Sequence, residues 1–302
     1  MSFKENMQEK LKDKLGKEEL EVLPSGFQNL GEIIILNLNK DILKAKKIIG
    51  EKVLELYPKV KAVYNKEGEI SGEFREPKLK LIAGEKIKEV EVLENGIKYK
   101  FDVTKLMFAK GNINERVRIA KDVKPEEIVV DMFSGIGYFS LAIGKLSLAK
   151  KIYSIEKNPC AFRYLKENIK INNIKNIEAI NGDNKKIISK LVKKGIKSDR
   201  IVMGYLPPPK EFLQDAFKIS KKGTIIHYED LLVDSEKSDD SQTLSHKRCA
   251  QDEKIKDEEK RVMDFVGEEA EKFGFKIKLL KLVRVKNYKP HVGHYVLDVE
   301  VC

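Results

Sequence analysis

Val129-Val130-Asp131-Met132-Phe133-Ser134-Gly135-Ile136-Gly137-Tyr138-Phe139 is the stretch on which the reading of this chain turns. An apolar strand runs straight into a turn holding two glycines, and the turn opens a helix. Glycine is required where backbone must bend sharply and let a ligand approach without a Cβ in the way. A dinucleotide-binding fingerprint would place a third glycine where Ser140 stands, so a pyrophosphate site is disfavoured.

Working outward, strands and helices alternate. Glu127 to Met132 reads as the first strand and Tyr138 to Leu146 as a helix. Strands follow at Lys151 to Glu156, Ile177 to Ile180, Asp199 to Met203 and Gly223 to Tyr228, with helices at Pro159 to Asn172, Ile187 to Lys193 and Arg261 to Phe273. Alternation of this kind needs crossover connections and a mostly parallel sheet. Two late strands, Lys276 to Val285 and His294 to Val301, suit an antiparallel hairpin at the sheet edge. The polar run 234–260 reads as a solvated insertion.

The other half has a different rhythm. A charged, weakly helical start precedes a strand at Glu32 to Leu38 and a helical period from Asp41 to Tyr57. Short strands are expected at Ala62 to Tyr64, Glu69 to Arg75, Leu79 to Ile82, Val90 to Leu93 and Ile97 to Val103, the last two joined through a Glu94-Asn95-Gly96 turn. The predicted architecture is therefore α/β: a small α+β domain over 1–118 and a Rossmann-like domain over 119–302.

Composition narrows the partners. The chain of 302 residues has 59 Lys+Arg against 48 Asp+Glu, a formal charge of +11. Such an excess either keeps a Lys-rich surface soluble or attracts a polyanion, usually nucleic acid. Cys160, Cys249 and Cys302 are scattered and form no CxxC pair, and the four histidines have no ligand spacing, so no metal is expected. There is no membrane-length apolar run and no signal-peptide core, which points to the cytoplasm.

Three strand ends carry polar groups in one register. Asp131 closes the first strand and suits a ligand with a positive amino group and no phosphate, a description met by S-adenosylmethionine. Glu156 closes the second, where a carboxylate can accept both ribose hydroxyls. Asp183 and Asn184 follow the third, placed to hydrogen-bond an adenine amino group. After the fourth strand comes Gly204-Tyr205-Leu206-Pro207-Pro208-Pro209, a stiff loop with Tyr205 available to stack on a planar base. Upstream, Asn112, Asn114 and Glu115 either cap a helix or belong with Arg116 and Arg118 to the site. Arg75, within Gly72-Glu73-Phe74-Arg75, is ambiguous taken alone.

Taken together, these segments resemble the family that modifies purine 37 of tRNA, which holds the tRNA guanine-37 N1-methyltransferases and the wybutosine-synthesis aminocarboxypropyltransferases. The carriers are Gly50-Glu51, Gly72 to Arg75, Ala83-Gly84, Glu94 to Gly96, Phe108, Gly111-Asn112, Glu115 to Arg118 and Asp131 to Phe139. The methyltransferases of this family carry an Asn-Leu-Pro loop after the fourth strand. Here Gly204 takes the Asn place and Leu206 the Pro place, which points to the aminocarboxypropyl branch. So does a start too late to hold the methyltransferases' extra N-terminal domain. The resemblance implies transfer of the 3-amino-3-carboxypropyl group of S-adenosylmethionine to the tricyclic wybutosine-precursor base. The alternatives are guanine-37 N1-methylation and a non-catalytic RNA-binding protein. It further implies a cofactor site of Phe108, Ala109, Arg116, Asp131, Phe133, Ser134, Gly135, Gly137, Glu156, Asp183, Asn184 and Gly204. Tyr205 and Pro207 would hold the acceptor, with Arg75 and Glu115 near the acceptor base as catalytic groups. Glu115 as a general base competes with a structural role beside its arginines. The expected partner is the anticodon region of tRNA. The oligomeric state is open, with a monomer as the working expectation.

Overall fold

The computed structural model describes residues 1–68, 72–108, 110–233 and 244–302, without the side chains of 110 and 244–253. The chain divides into two compact units, Met1–Phe108 and Ala109–Cys302.

In the first unit, α1 (Phe3–Leu11) starts at Ser2, whose hydroxyl accepts from the Glu5 amide while Glu5 accepts from the Ser2 amide, a reciprocal cap. Then come α2 (Lys17–Glu21), β1 (Gln28–Leu30), β2 (Ile33–Leu36), α3 (Lys46–Leu56), β3 (Ala62–Lys66), β4 (Leu79–Gly84), β5 (Glu89–Glu94) and β6 (Ile97–Asp102). The helix expected from Asp41 begins instead as a 3-10 stretch, Lys40–Ala45, and becomes α-helical at Lys46. β1 to β4 form one sheet in that order, and α3 lies close to β4: a Cβ on Gly50 would come 2.8 Å from the Cβ of Ala83. The strand expected at Glu69 to Arg75 falls partly on 69–71, outside the described residues. Gly72 to Arg75 is a turn, with Arg75 at φ +53° and its amide donating to the Gly72 carbonyl at 3.1 Å. β5 and β6 form the expected hairpin. Asn95 and Gly96 both have positive φ, as a tight two-residue hairpin turn demands.

The second unit holds α4 (Ile113–Asp122), β7 (Ile128–Asp131), α5 (Tyr138–Leu146), β8 (Lys151–Glu156), α6 (Pro159–Ile171), β9 (Ile177–Asn181), α7 (Asn184–Lys193), β10 (Arg200–Met203), α8 (Leu213–Ile219), β11 (Ile225–Val233), α9 (Leu244–Glu271), β12 (Ile277–Lys289) and β13 (Val292–Val301). A division at 118 would cut α4, which packs on α5 and belongs with this unit. Part of the expected insertion, 234–243, lies outside the described residues. From Leu244 the chain is already helical, continuous with the helix expected from Arg261. Val262, Val266 and Ala270, four apart, are fully buried and anchor that helix.

The seven-stranded sheet has the order β12-β13-β11-β10-β7-β8-β9, parallel from β11 through β9, with β13 antiparallel between β11 and β12. The chain moves outward from β7 through β8 to β9, then returns to β10 on the other side of β7. That reversal opens a crevice at the carboxyl ends of β7 and β10, where ligands bind in sheets of this type. Val130, Ile155, Ile201, Ile226 and Leu297 pack against Leu213, Phe217 and Val266 to form the core of this unit.

Candidate functional site

The crevice is built around the turn after β7. Asp131 is fully buried; one of its oxygens accepts from the Phe133 amide at 3.3 Å, the other from the Ser140 amide at 3.1 Å and the Ser140 hydroxyl at 2.6 Å. Ser154 donates to Ser140 at 2.6 Å, extending the chain to β8. Burial pushes the Asp131 carboxyl up to about 6 despite these donors. Both oxygens help to shape the turn. The groups left facing the crevice are largely backbone, and the glycines keep it clear. Gly135 has φ +56° and Gly137 φ +102°; added Cβ atoms would come 2.7 Å from the Tyr138 ring and 2.6 Å from Leu141.

Glu156 reaches back to this turn. Its carboxylate accepts from the Gly135 amide at 2.7 Å and from the Asn158 amide at 2.6 Å, one bond per oxygen. Burial raises its pKa against the pull of these amides. A carboxylate has about four acceptor positions, so two are left for hydroxyl groups. Asp183 caps α7 through the Lys185 amide at 3.0 Å and pairs with Lys157 at 3.3 Å. Asn184 is buried and donates to the Met132 carbonyl at 2.5 Å, while its Oδ1 has no hydrogen-bond partner. A buried acceptor without a donor marks a place where a ligand N–H is expected.

On the other side of the crevice, the ring of Phe139 occupies the place a Cβ on Gly204 would take. Tyr205 stacks on Phe133, centroids 5.0 Å apart and planes 26° apart, and Phe212 meets Phe133 edge-on at 5.1 Å. Pro207 is exposed. Phe133, Ser134, Gly135, Gly137, Glu156, Asn184 and, across β10, Gly204 and Tyr205 therefore gather at one sheet edge, as the register of strand ends predicts.

Glu115 and Arg116 start α4, and both are buried. The Arg116 guanidinium lies 4.7 Å over the Tyr138 ring. Both Glu115 oxygens accept from Arg118, which also donates to both oxygens of Asp298, at 2.6 and 3.0 Å. Arg118 and His227 hold the Asp298 carboxyl well below the ordinary range. His227 accepts from Arg200 at its Nε2, because arginine has no acceptor, so its Nδ1 donates to Asp298 and the ring is neutral. Burial favours the same state. Arg200, only 1% exposed, closes the chain on Glu127 at 2.7 and 3.1 Å. The pairing of Glu115 with Arg118 was readable from their three-residue spacing; its continuation through β13, β11 and β10 was not.

Phe108 lies in the first unit. Its ring stacks on Phe101 at 5.0 Å and meets Tyr99 edge-on at 5.5 Å, within that unit's core. Arg75 belongs to the first unit and Ala109 lies outside the described residues.

With this geometry in place, the comparisons are specific. The TRM5/TYW2 methyltransferase domain matches residues 90–266 and the TYW2 N-terminal domain matches residues 7–87. A tRNA(Phe) (4-demethylwyosine(37)-C(7)) aminocarboxypropyltransferase of Pyrococcus horikoshii is 36% identical over 305 residues, covering 99% of this chain and 97% of its own length. A tRNA (guanine(37)-N(1))-methyltransferase Trm5b of Pyrococcus abyssi is 33% identical, covering 92% of this chain and 76% of its own. The crystal structure of P. horikoshii TYW2 in complex with MeSAdo has a TM-score of 0.76 at 32% identity, with 99% of both chains covered. A crevice built on a glycine turn, a carboxylate at the second strand end and matches running almost the whole length agree on one conclusion: this chain belongs to the TRM5/TYW2 family.

Proposed function

We propose that this protein moves the 3-amino-3-carboxypropyl group of S-adenosylmethionine onto carbon 7 of 4-demethylwyosine at position 37 of phenylalanine tRNA. The observation that carries this reading is Gly204 beneath the Phe139 ring. No side chain fits at that place, whereas the methyltransferase loop would set an asparagine there. The full-length likeness to an aminocarboxypropyltransferase supports the same branch.

The crevice suits S-adenosylmethionine. Glu156 has acceptor capacity for two ribose hydroxyls, the unpaired Oδ1 of Asn184 for an adenine amino group, and the Phe133–Gly137 backbone leaves room for the nucleoside. Asp183 sets the start of α7, and Arg116 stands for the methionine carboxylate. When bound, the sulfonium activates the methionine Cγ: the bond from Cγ to the base carbon forms as the S–Cγ bond breaks, neutral methylthioadenosine leaves, and the proton displaced from that carbon passes to solvent. Asp131 and Ser134 hold the turn. Tyr205, backed by Phe133, offers a stacking surface to the acceptor base, with Pro207 beside it. Orientation alone selects Cγ over the methyl, because only a carbon held in line with the nucleophile reacts. Glu115, with both oxygens on Arg118, is a positioning residue. Among the described residues, no helix is long and apolar enough to cross a membrane.

The test is to supply precursor tRNA with cofactor labelled in the carboxyl or the methyl carbon. Carboxyl label on precursor tRNA is expected; methyl label gained only by tRNA with an unmodified guanine at position 37, run in parallel, would favour guanine-37 N1-methylation, the reading second in support through the 33% identity to Trm5b.

A further inference from the structure

β11, β13 and β12 do not stop where the rest of the sheet stops. The last residue of β10, Met203, is in register with Tyr228, and Tyr228 with Leu297, which faces Leu282. β11 continues for five residues beyond Tyr228 to Val233, with β13 and β12 alongside. The three strands thus extend roughly 17 Å past the end of β10, at 3.2–3.4 Å per residue. They project from the edge that carries Gly204 and the glycine turn. The stem of Lys286 runs over Gly111, where a Cβ would come 2.8 Å from its Cδ, so the ribbon borders the approach to α4.

This ribbon is strongly one-signed on its outer strand. Residues 276–289 include Lys276, Lys278, Lys281, Arg284, Lys286 and Lys289 and no acid. Lys278, Lys281, Arg284 and Lys289 are exposed, and among the described residues no carboxylate pairs with Lys278, Lys281 or Lys289. The pairing with β13 slips three times, between Leu279 and Lys281, Arg284 and Lys286, and Asn287 and Lys289. The last slip leaves Tyr288 as the extra residue, 46% exposed among cations.

Lysines and bulges on an outermost strand also prevent sheet-to-sheet aggregation. That accounts for the cations along the strand. It does not account for an exposed aromatic ring at the free tip of the ribbon, on the crevice side of the sheet, since a bare tyrosine invites association instead of blocking it. Cations interleaved with an exposed ring are the chemistry of a nucleic-acid surface, where the cations follow phosphates and the ring stacks on a base.

We propose that the β12–β13 ribbon is a docking surface for the phosphate backbone of the tRNA anticodon arm, with Tyr288 stacking on an exposed base there. The inference rests on the tRNA reading above and adds the place of contact. It predicts a ribbon that holds the arm while the target base enters the crevice at its foot.

The test measures affinity for an unmodified phenylalanine-tRNA transcript as salt rises, with the intact protein and exposed-residue variants. Tyr288→Ala is expected to weaken binding at least about fivefold. Lys281→Ala with Lys289→Ala is expected to flatten the log–log salt slope by about 1.4–1.8, two phosphates' worth. Lys193→Ala with Lys194→Ala removes equal charge at the far end of α7, about 15 Å from its start at the crevice, and is expected to leave the slope near that of the parent. Unchanged cofactor affinity by calorimetry shows that each variant is folded. Ribbon variants that bind tRNA with the parent's affinity and slope overturn the proposal. A parent protein that binds no tRNA overturns the functional reading beneath it.

Discussion

One missing Cβ defines the acceptor side of the crevice. Because the Phe139 ring stands where that carbon would be, and Phe139 is itself buried, neither partner can move freely. Gly204→Ala is expected to cost about 1–3 kcal/mol of stability through overpacking and to lower turnover. Adding Phe139→Leu should recover part of that loss, which a double-mutant cycle in denaturant unfolding would read. An additive cycle would mean that the two side chains do not share the space. Gly204→Asn carries the same clash and is not expected to create methyl transfer, since Leu206 still holds the proline place. Across the crevice, Glu156→Ala removes the acceptor of two backbone amides as well as the ribose partner. Cofactor binding by calorimetry should weaken by about 1.5–3 kcal/mol for the charge-assisted bonds lost. Unchanged affinity would place the ribose elsewhere.

At the scale of elements, α4 is fastened to the sheet by charge. Arg118 holds Glu115 on its own helix and Asp298 on β13, both buried. Arg118→Met leaves two buried carboxylates uncompensated and should cost about 3–5 kcal/mol in denaturant unfolding. The pH dependence has a definite sign. Asp298 is depressed in the folded state, so it contributes stability above the ordinary carboxylate range, and that contribution is lost as pH falls below about 4. Asp298→Asn should lower stability at neutral pH and flatten the acid limb of the stability curve; an acid limb as steep as the parent's would show that other carboxylates set it. Glu115→Gln separates anchoring from proton transfer. A positioning role predicts a loss of stability with kcat/KM kept within about tenfold, whereas a general base would cost about 100-fold or more.

For the whole molecule, the Rossmann-like half was legible because its signals are local. A strand, a glycine turn and a helix are contiguous from Val129 to Phe139, and β8 and β9 are likewise each followed by a short turn and a helix. What escaped was decided by packing between distant segments. α4 precedes β7 in the chain yet packs on α5, so composition alone could not set the division between units. α9 starts at Leu244, well before the apolar period that ends in Val262, Val266 and Ala270, because the sequence upstream shows no apolar stripe for a period to reveal. Phe108 carries the family likeness, but its ring belongs to an aromatic cluster formed by β6. Asp131 was legible as an acid at a strand end; its burial and its bonds to Ser140 depend on how α5 leaves the turn. The central claim concerns which carbon of the sulfonium is attacked, and that choice is recorded in the by-product. Purified protein, S-adenosylmethionine and tRNA carrying the 4-demethylwyosine precursor should be incubated together, and the released nucleoside separated by chromatography. The structure predicts methylthioadenosine, formed in step with modified tRNA; S-adenosylhomocysteine as the product of turnover would contradict it.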